Sequence, residues 1–164
     1  MSKPVLALLL AAVAVAGAAD AQSQTQTRQA VSGQPIFFGA DDGGVTPGGF
    51  ALRGRAEVIQ GENRLRANAI EIAQSGGSTT GATASGDVYY ITPNESIRGD
   101  RAVYSVSAAT VTVTGDVVLT QGRNVLTGGR LVYNIDTGEA QMAGAPRGGA
   151  AGNRIQGVFY PDQD

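Results

Sequence analysis

Aspartates are the side chains of this sequence best equipped to do chemistry. The chain has no histidine and no cysteine, and its one lysine, Lys3, stands near the start. Serine nucleophiles therefore lack an imidazole or amine base, and Schiff-base chemistry lacks an amine beyond that position. Paired carboxylates could still cleave a glycosidic bond by acid and base catalysis. The candidates are Asp87, Asp100 and Asp116.

The pattern around these aspartates favours a structural role over catalysis. Asp87 and Asp116 each follow a glycine in alternating segments, where the alternation directs them away from the apolar face. Sugar-binding surfaces also use aromatic rings, and the chain has four Phe, five Tyr and no Trp. We expect no enzymatic activity, no metal site and no cofactor. A carboxylate-dependent, polysaccharide-cleaving enzyme on a parallel β-helix is the alternative.

Three nineteen-residue blocks with one internal layout organise the chain. They begin at Gly54, Gly86 and Gly115, and Gly144 begins a decayed fourth copy. The blocks read GRAEVIQGENRLRANAIEI, GDVYYITPNESIRGDRAVY and GDVVLTQGRNVLTGGRLVY. Their starts lie 32, 29 and 29 residues apart, which is too short for a domain. Each unit must therefore stack on its neighbours to bury its apolar face.

Apolar residues within the blocks alternate, which is the period of a β-strand. In the segment 109–119 the odd-numbered valines share one face with Gly115, and a second strand follows each Gln-Gly turn, as at Gln121-Gly122. A glycine inside a long strand lets that strand bend sharply. The sequence predicts an all-β fold, with a repeat-built antiparallel sheet that is V-shaped or rolled around an apolar trough.

Small residues on the predicted inner face leave space inside the trough. They include the block-opening glycines together with Ala56, Ala82, Ala84, Ala102 and Ala140. Hydrocarbon chains of a ligand could fill that space, because burial stabilises by about 0.8 kcal/mol per methylene. A plain protein core is equally consistent with the composition, so both interpretations stay open.

The amino-terminal segment has the pattern of a secretory signal. Lys3 precedes an apolar run from Pro4 to Ala19, and Ala19-Asp20-Ala21 has the small-x-small form of a cleavage site. We expect a signal peptide over residues 1–21, since a membrane anchor needs about twenty apolar residues. A polar leader over 22–33 is expected to be disordered, and a single domain to cover 34–164. Secretion without cysteine suits the periplasm.

Composition also gives expectations for loops and partners. Gly, Pro, Ser and Thr are dense in Asp41–Gly49 and in Gln74–Ser85, and we interpret both segments as loops. The net charge is −2 and the arginines are dispersed, so we expect no nucleic-acid partner.

Several segments together resemble the LptA (OstA-like) family of periplasmic lipopolysaccharide-export proteins. These are Gln34-Pro35-Ile36, the block GRAEVIQGENRLRANAI, the stretch VTGDVVLTQGRNVLTGGRLVYNIDTGEAQM, and Arg154-Ile155 through Tyr160-Pro161. The similarity covers nearly the whole chain after residue 33. The same repeat occurs in LptC and in the amino-terminal part of LptD, so a repeat domain of another member of that system is a further alternative.

The resemblance implies a β-jellyroll with open ends and no catalysis. It implies that copies stack head-to-tail, with LptC as partner at the inner membrane and LptD at the outer membrane. The joined troughs would carry the lipid A acyl chains of lipopolysaccharide. By position in the repeat, the acyl-chain contacts would be Ile36, Phe38, Leu52, Val58, Tyr90, Tyr104, Val106, Val117, Leu119 and Leu131.

Overall fold

The computed structural model describes residues 35–134, 137, 139–144 and 154–161. Every regular element in these ranges is a β-strand. The strands are β1 Ile36–Gly39, β2 Asp42–Thr46, β3 Gly49–Gln60, β4 Asn63–Ser75, β5 Ser78–Ile91, β6 Glu95–Ser105, β7 Thr110–Gln121, β8 Asn124–Asn134, β9 Ala140–Ala143 and β10 Gln156–Val158. In the described part of the chain, no helix has the length and apolarity to cross a membrane. The expected signal peptide (1–21) and leader (22–33) lie outside the described residues.

All ten strands belong to one antiparallel sheet. The main path runs β1-β3-β4-β5-β6-β7-β8-β10, and the short strands β2 and β9 pair with the other halves of β3 and β8. The path does not close on itself, so each side of the sheet ends in two short edge strands. The predicted all-β, antiparallel and open sheet is therefore confirmed, and it differs from the parallel β-helix that the enzyme alternative requires.

A line of bulges bends the sheet where the block-opening glycines lie. Gly54, Gly86 and Gly115 have φ angles of 72°, 75° and 82°, and the residue after each also has a positive φ. All five ladders between β3 and β8 shift register along this line. Glycine accepts a positive φ without the steric penalty of a side chain. The predicted bend is therefore confirmed, and it divides every long strand into two halves.

Each bend glycine also makes room for a side chain of the neighbouring strand or loop. A Cβ on Gly54 would lie 2.6 Å from Asp41 Oδ2, and one on Gly86 would lie 2.5 Å from Asn68 Nδ2. Asp100 occupies the same place beside Gly115. A larger residue would collide with these side chains. The recurrent polar residue at the bend therefore has a packing role, and Asp100 is one example.

The bend creates two limbs. Limb A contains the strand halves that lead to the Gly76-Gly77 turn, with β2 and β9 at its edges. Limb B contains the halves that meet at the Gly61 and Gly122 turns, with β1 and β10 at its edges. The ring of Phe38 in limb B lies 6.1 Å, centroid to centroid, from the ring of Phe50 in limb A. The two limbs therefore face each other, and their inner sides form one hydrophobic cluster.

Both predicted loops are wrong. Residues 42–46 form the edge strand β2, and residues 74–85 continue two paired strands with only Gly76 and Gly77 in the turn between them. Backbone hydrogen bonding with neighbouring strands outweighs the low strand propensity of these residues. In the second segment, Ala82 and Ala84 face the core and fix the register.

Candidate functional site

The inner face of limb A carries an apolar row near its free end. Cross-strand pairing aligns the row from β3 to β9, one residue from each strand. Its members are Phe50, Ile72, Ala82, Tyr104, Val111, Tyr133 and Ala140. Aromatic and aliphatic side chains paired directly across strands contact each other along the row. The row therefore forms a continuous apolar surface across limb A.

Limb B carries a matching apolar row. Its members are Phe38, Val58, Leu65, Tyr90, Ile97, Leu119 and Leu126. Most of these residues are buried against the inner face of limb A. Tyr133 of limb A is close enough to Tyr90 of limb B to add, after burial and Glu95, to the raised pKa of the Tyr90 hydroxyl. Rows from both limbs therefore enclose one apolar interior.

An open cleft of about 540 Å³ lies at the free end of limb A. Its lining includes Phe50, Ile72, Ala82 and Tyr104 of the inner face. Small, polar and charged residues of the turns and outer face line the rest, among them Arg53 and Glu71. The volume is within the range of roughly 300–1,000 Å³ that is usual for ligand sites.

The predicted acyl-contact residues fall into three groups. Six are core residues that lie away from the cleft: Leu52, Val58, Tyr90, Val117, Leu119 and Leu131. Tyr104 is buried and also lines the cleft. Ile36 and Val106 are partly buried at the margin of the core, while Phe38 is 64 % exposed at the edge of the sheet. Seven of the ten predicted residues are therefore buried in the core, and their contact with acyl chains stays a prediction.

A polar row closes the inner face at the free end of limb B, and the sequence analysis did not identify it. We define the polar row as Gln60, Asn63, Glu95 and Gln121. The repeat contains a signal for it. The seventh place of the blocks holds Gln60, Thr92 and Gln121, and the tenth holds Asn63, Glu95 and Asn124. Both places lie on the inward side of the strands.

Glu95 is the ionisable member of the polar row. Its Oε2 accepts a hydrogen bond from Gln121 Nε2 at 2.9 Å, while its Oε1 is buried without a partner among the described residues. Burial raises the pKa of the Glu95 carboxyl, and the hydrogen bond from Gln121 opposes that rise. Burial, the Glu95 charge and Tyr133 raise the pKa of Tyr90, so its hydroxyl stays protonated at neutral pH. The polar row therefore presents acceptor oxygens beside the apolar interior.

The aspartates singled out as catalytic candidates do not form such a site. Asp87 and Asp116 are exposed immediately after bend glycines, as the alternation predicts, and Asp100 packs against Gly115. Within the described ranges, no group of three potential ligands could hold a metal ion.

The ion pairs seen among the described residues join exposed or half-buried side chains. Arg64 and Arg66 both approach Glu57, at 3.3 and 3.5 Å, and Arg53 approaches Glu71 at 3.6 Å beside the cleft. Asp41 accepts hydrogen bonds from Arg55 Nε at 2.9 and 3.1 Å, and this contact lowers the pKa of the Asp41 carboxyl. Exposed pairs of this kind contribute little to stability.

Exposed apolar side chains concentrate at the two edges of the sheet. At the first edge, Phe37 and Val45 are exposed, Val45 by 89 %. At the second edge, Val158, Phe159 and Tyr160 are exposed. Edge strands also present unpaired backbone groups, which makes them surfaces for strand addition.

Comparison with known proteins agrees with this architecture. The family described as "LptA/(LptD N-terminal domain) LPS transport protein" matches residues 48–139, which is more than half of the chain. A solved structure, that of LptH from Pseudomonas aeruginosa, superposes with a TM-score of 0.64 at 24 % identity. The alignment covers 78 % of this chain and 96 % of that one. LptH is described as the LptA homologous periplasmic component of the conserved lipopolysaccharide transport device. No curated protein sequence matches.

Proposed function

Because the chain belongs to the LptA/(LptD N-terminal domain) family of LPS transport proteins, a family of transport components and not of enzymes, we propose that it is a periplasmic bridge for lipopolysaccharide. It binds the lipid A acyl chains between the two limbs. It passes them along a row of stacked copies, from LptC at the inner membrane towards LptD at the outer membrane.

The observation that carries this proposal is the open, bent sheet with apolar rows on both inner faces. Acyl chains enter at the cleft, whose lining includes the half-buried Phe50 beside the buried Ala82 and Tyr104. Further insertion requires the limbs to separate, because residues such as Leu119 are buried in the closed interior. The bend along the glycine line is the place where such a separation needs the least repacking. Ile36, Phe38 and Val106 would contact the chains at the margins of the interior.

Stacking uses the two edges of the sheet. The edge formed by β1 and β2 and the edge formed by β9 and β10 each consist of two short strands, one on each limb. If the edges of two copies pair, the apolar inner rows continue from one copy to the next. Pairing also buries exposed residues such as Val45 and Val158. The same edges would receive the repeat domains of LptC and LptD.

Lipid analysis of the protein purified from cells that make lipopolysaccharide tests the proposal. The expected result is co-purifying lipopolysaccharide near one molecule per chain, released by organic solvent and absent from a sample refolded without lipid. A protein that carries no lipid, or only phospholipid in trace amounts, would contradict the proposal. A polysaccharide-cleaving enzyme would instead release sugar products, and a purely structural polymer would form filaments independently of lipid.

A further inference from the structure

The polar row places buried polar side chains at the end of an apolar interior. Hydrophobic interiors are normally closed by apolar side chains or by polar groups that are hydrogen-bonded. Glu95 is only 8 % exposed, and its Oε1 has no partner among the described residues. An acceptor in that state is unfavourable in the empty protein. Such a group calls for a donor that arrives with a ligand.

The position of Glu95 defines which part of a ligand could supply the donor. Glu95 begins β6, and Ile97, two residues later on the same inner face, belongs to the apolar row of limb B. Gln121 lies directly across from Glu95 and fixes its Oε2. Oε1 therefore lies at the boundary between the apolar interior and the turns at the free end of limb B. A lipid with its chains in the interior would place the linkage between chain and headgroup at this boundary.

Resting on the proposed function, we propose that Glu95 Oε1 accepts a hydrogen bond from the linking group of the lipid, an amide N–H or a hydroxyl near the start of an acyl chain. Gln121 is the positioning residue that holds the carboxylate in place. The lipid class favoured is thus an acylated amino sugar, whose amide-linked chains carry such donors. Lipids with ester-linked chains have acceptors at that point and leave Oε1 unpaired.

Two lipid probes separate this assignment from a general effect on binding. The first is a glucosamine lipid with amide-linked 3-hydroxyacyl chains. The second has the same chain lengths, but its sugar is glucose in place of glucosamine, and its chains are ester-linked and lack the hydroxyl. Affinities for both are measured by calorimetry on the same preparation of wild type and of Glu95→Met. The ratio of the two affinities is insensitive to a partly unfolded sample, and thermal unfolding checks the fold.

We expect Glu95→Met to weaken binding of the amide-linked lipid by roughly fivefold to tenfold, which corresponds to one lost hydrogen bond to a charged group. Binding of the ester-linked lipid should stay within about twofold. The matched control is Glu62→Met, which removes an exposed carboxylate in the neighbouring β3–β4 turn and should change neither affinity. Equal loss for both lipids, or no loss for either, would overturn the assignment. If the wild type binds neither lipid, the proposed function itself fails and the assignment with it.

Discussion

The free ends of the two limbs differ in both chemistry and packing. The end of limb A carries aromatic and aliphatic side chains around an open cleft, with Tyr104 and Phe50 in its wall. The end of limb B carries the polar row, in which Gln60, Asn63 and Glu95 are buried and Gln121 is half-buried. An interior built only for stability would be packed and apolar at both ends. The two proposals assign different parts of one ligand to these ends, the acyl chains to limb A and a polar linking group to limb B.

The largest effect is expected from a substitution that blocks the bend, because both limbs depend on it. Gly86→Val places a β-branched side chain at a φ of 75° and against Asn68. We expect a loss of roughly 2–5 kcal/mol in the free energy of unfolding, from backbone strain and overpacking together. Urea unfolding followed by circular dichroism measures it.

The control for the bend is Gly76→Ala. Gly76 also has a positive φ, but a Cβ there would meet no atom within 4 Å. Only the conformational penalty remains, about 1 kcal/mol. Similar losses for the two variants would mean that close packing at the bend has no special importance.

Added bulk at the cleft wall should weaken lipid binding at limb A. Ala82→Phe places a ring on the buried inner face beside Tyr104, and circular dichroism checks that the variant still folds. We expect lipid affinity to fall about tenfold or more, since displacing two methylenes of a chain removes about 1.6 kcal/mol. A binding titration with the amide-linked glucosamine lipid measures the change.

Val103→Phe is the matched control for the filled cleft, because it adds the same bulk on the outer face next to Tyr104, where Val103 is exposed. Lipid binding should be unchanged in this variant. Unchanged binding in Ala82→Phe would show that the cleft is not the entry point.

At limb B, removing the charge of Glu95 should stabilise the empty protein. Burial raises the folded-state pKa of Glu95 above the usual 4.5. Protonation of Glu95 therefore stabilises the fold below pH 4.5, and this stabilisation is lost as pH rises through the raised pKa. Glu95→Gln is therefore expected to be more stable than wild type at pH 7, by roughly 1 kcal/mol, and similar to it at pH 4. Thermal unfolding at both pH values measures this.

The comparison variant at limb B is Glu62→Gln, an exposed carboxylate in the adjacent turn, which should have the same stability as wild type at both pH values. A wild type that is more stable than Glu95→Gln at pH 7 would show that the charged carboxylate, Oε1 included, is already satisfied in the empty protein.

The smallest effect is expected at the bend surface. Asp41→Asn keeps a side chain of the size found at the equivalent place beside Gly86, where Asn68 lies, but removes the charge that pairs with Arg55. The pKa of Asp41 is lowered in the folded state. The stabilisation of the fold by its carboxylate is therefore present above pH 3.8 and is lost as pH falls through the folded-state pKa. Asp41→Asn should be slightly less stable than wild type at pH 7 and equal to it at pH 2. A difference that persists at pH 2 would point to packing instead of charge.

The architecture was predictable from the sequence where the repeat made it explicit. Gly54, Gly86 and Gly115 recur inside alternating strands, and a strand glycine at a fixed place indicates a bend. Composition was misleading for β2 and for the start of β5. Gly, Ser and Thr favour loops locally, but strands on either side supply hydrogen-bond partners that no local pattern shows.

The functional interior was less predictable. The sequence did not predict the polar row, because glutamine and asparagine next to a turn glycine usually lie in solvent. Only the curvature of the sheet buries Gln60 and Glu95. The location of spare volume depends on the distance between the limbs, which periodicity does not determine. Tyr104 and Leu119 were both correctly placed on the inner face, and nothing in their spacing shows that only Tyr104 also lines the cleft.

Photo-crosslinking in cells at two adjacent residues tests the central claim most directly. A benzophenone amino acid replaces Tyr104, which lines the cleft, or Val103, its neighbour on the outer face. The predicted result is a lipopolysaccharide adduct at position 104 and none at position 103. Adducts of equal yield at both positions, or at position 103 alone, would contradict lipid binding between the limbs.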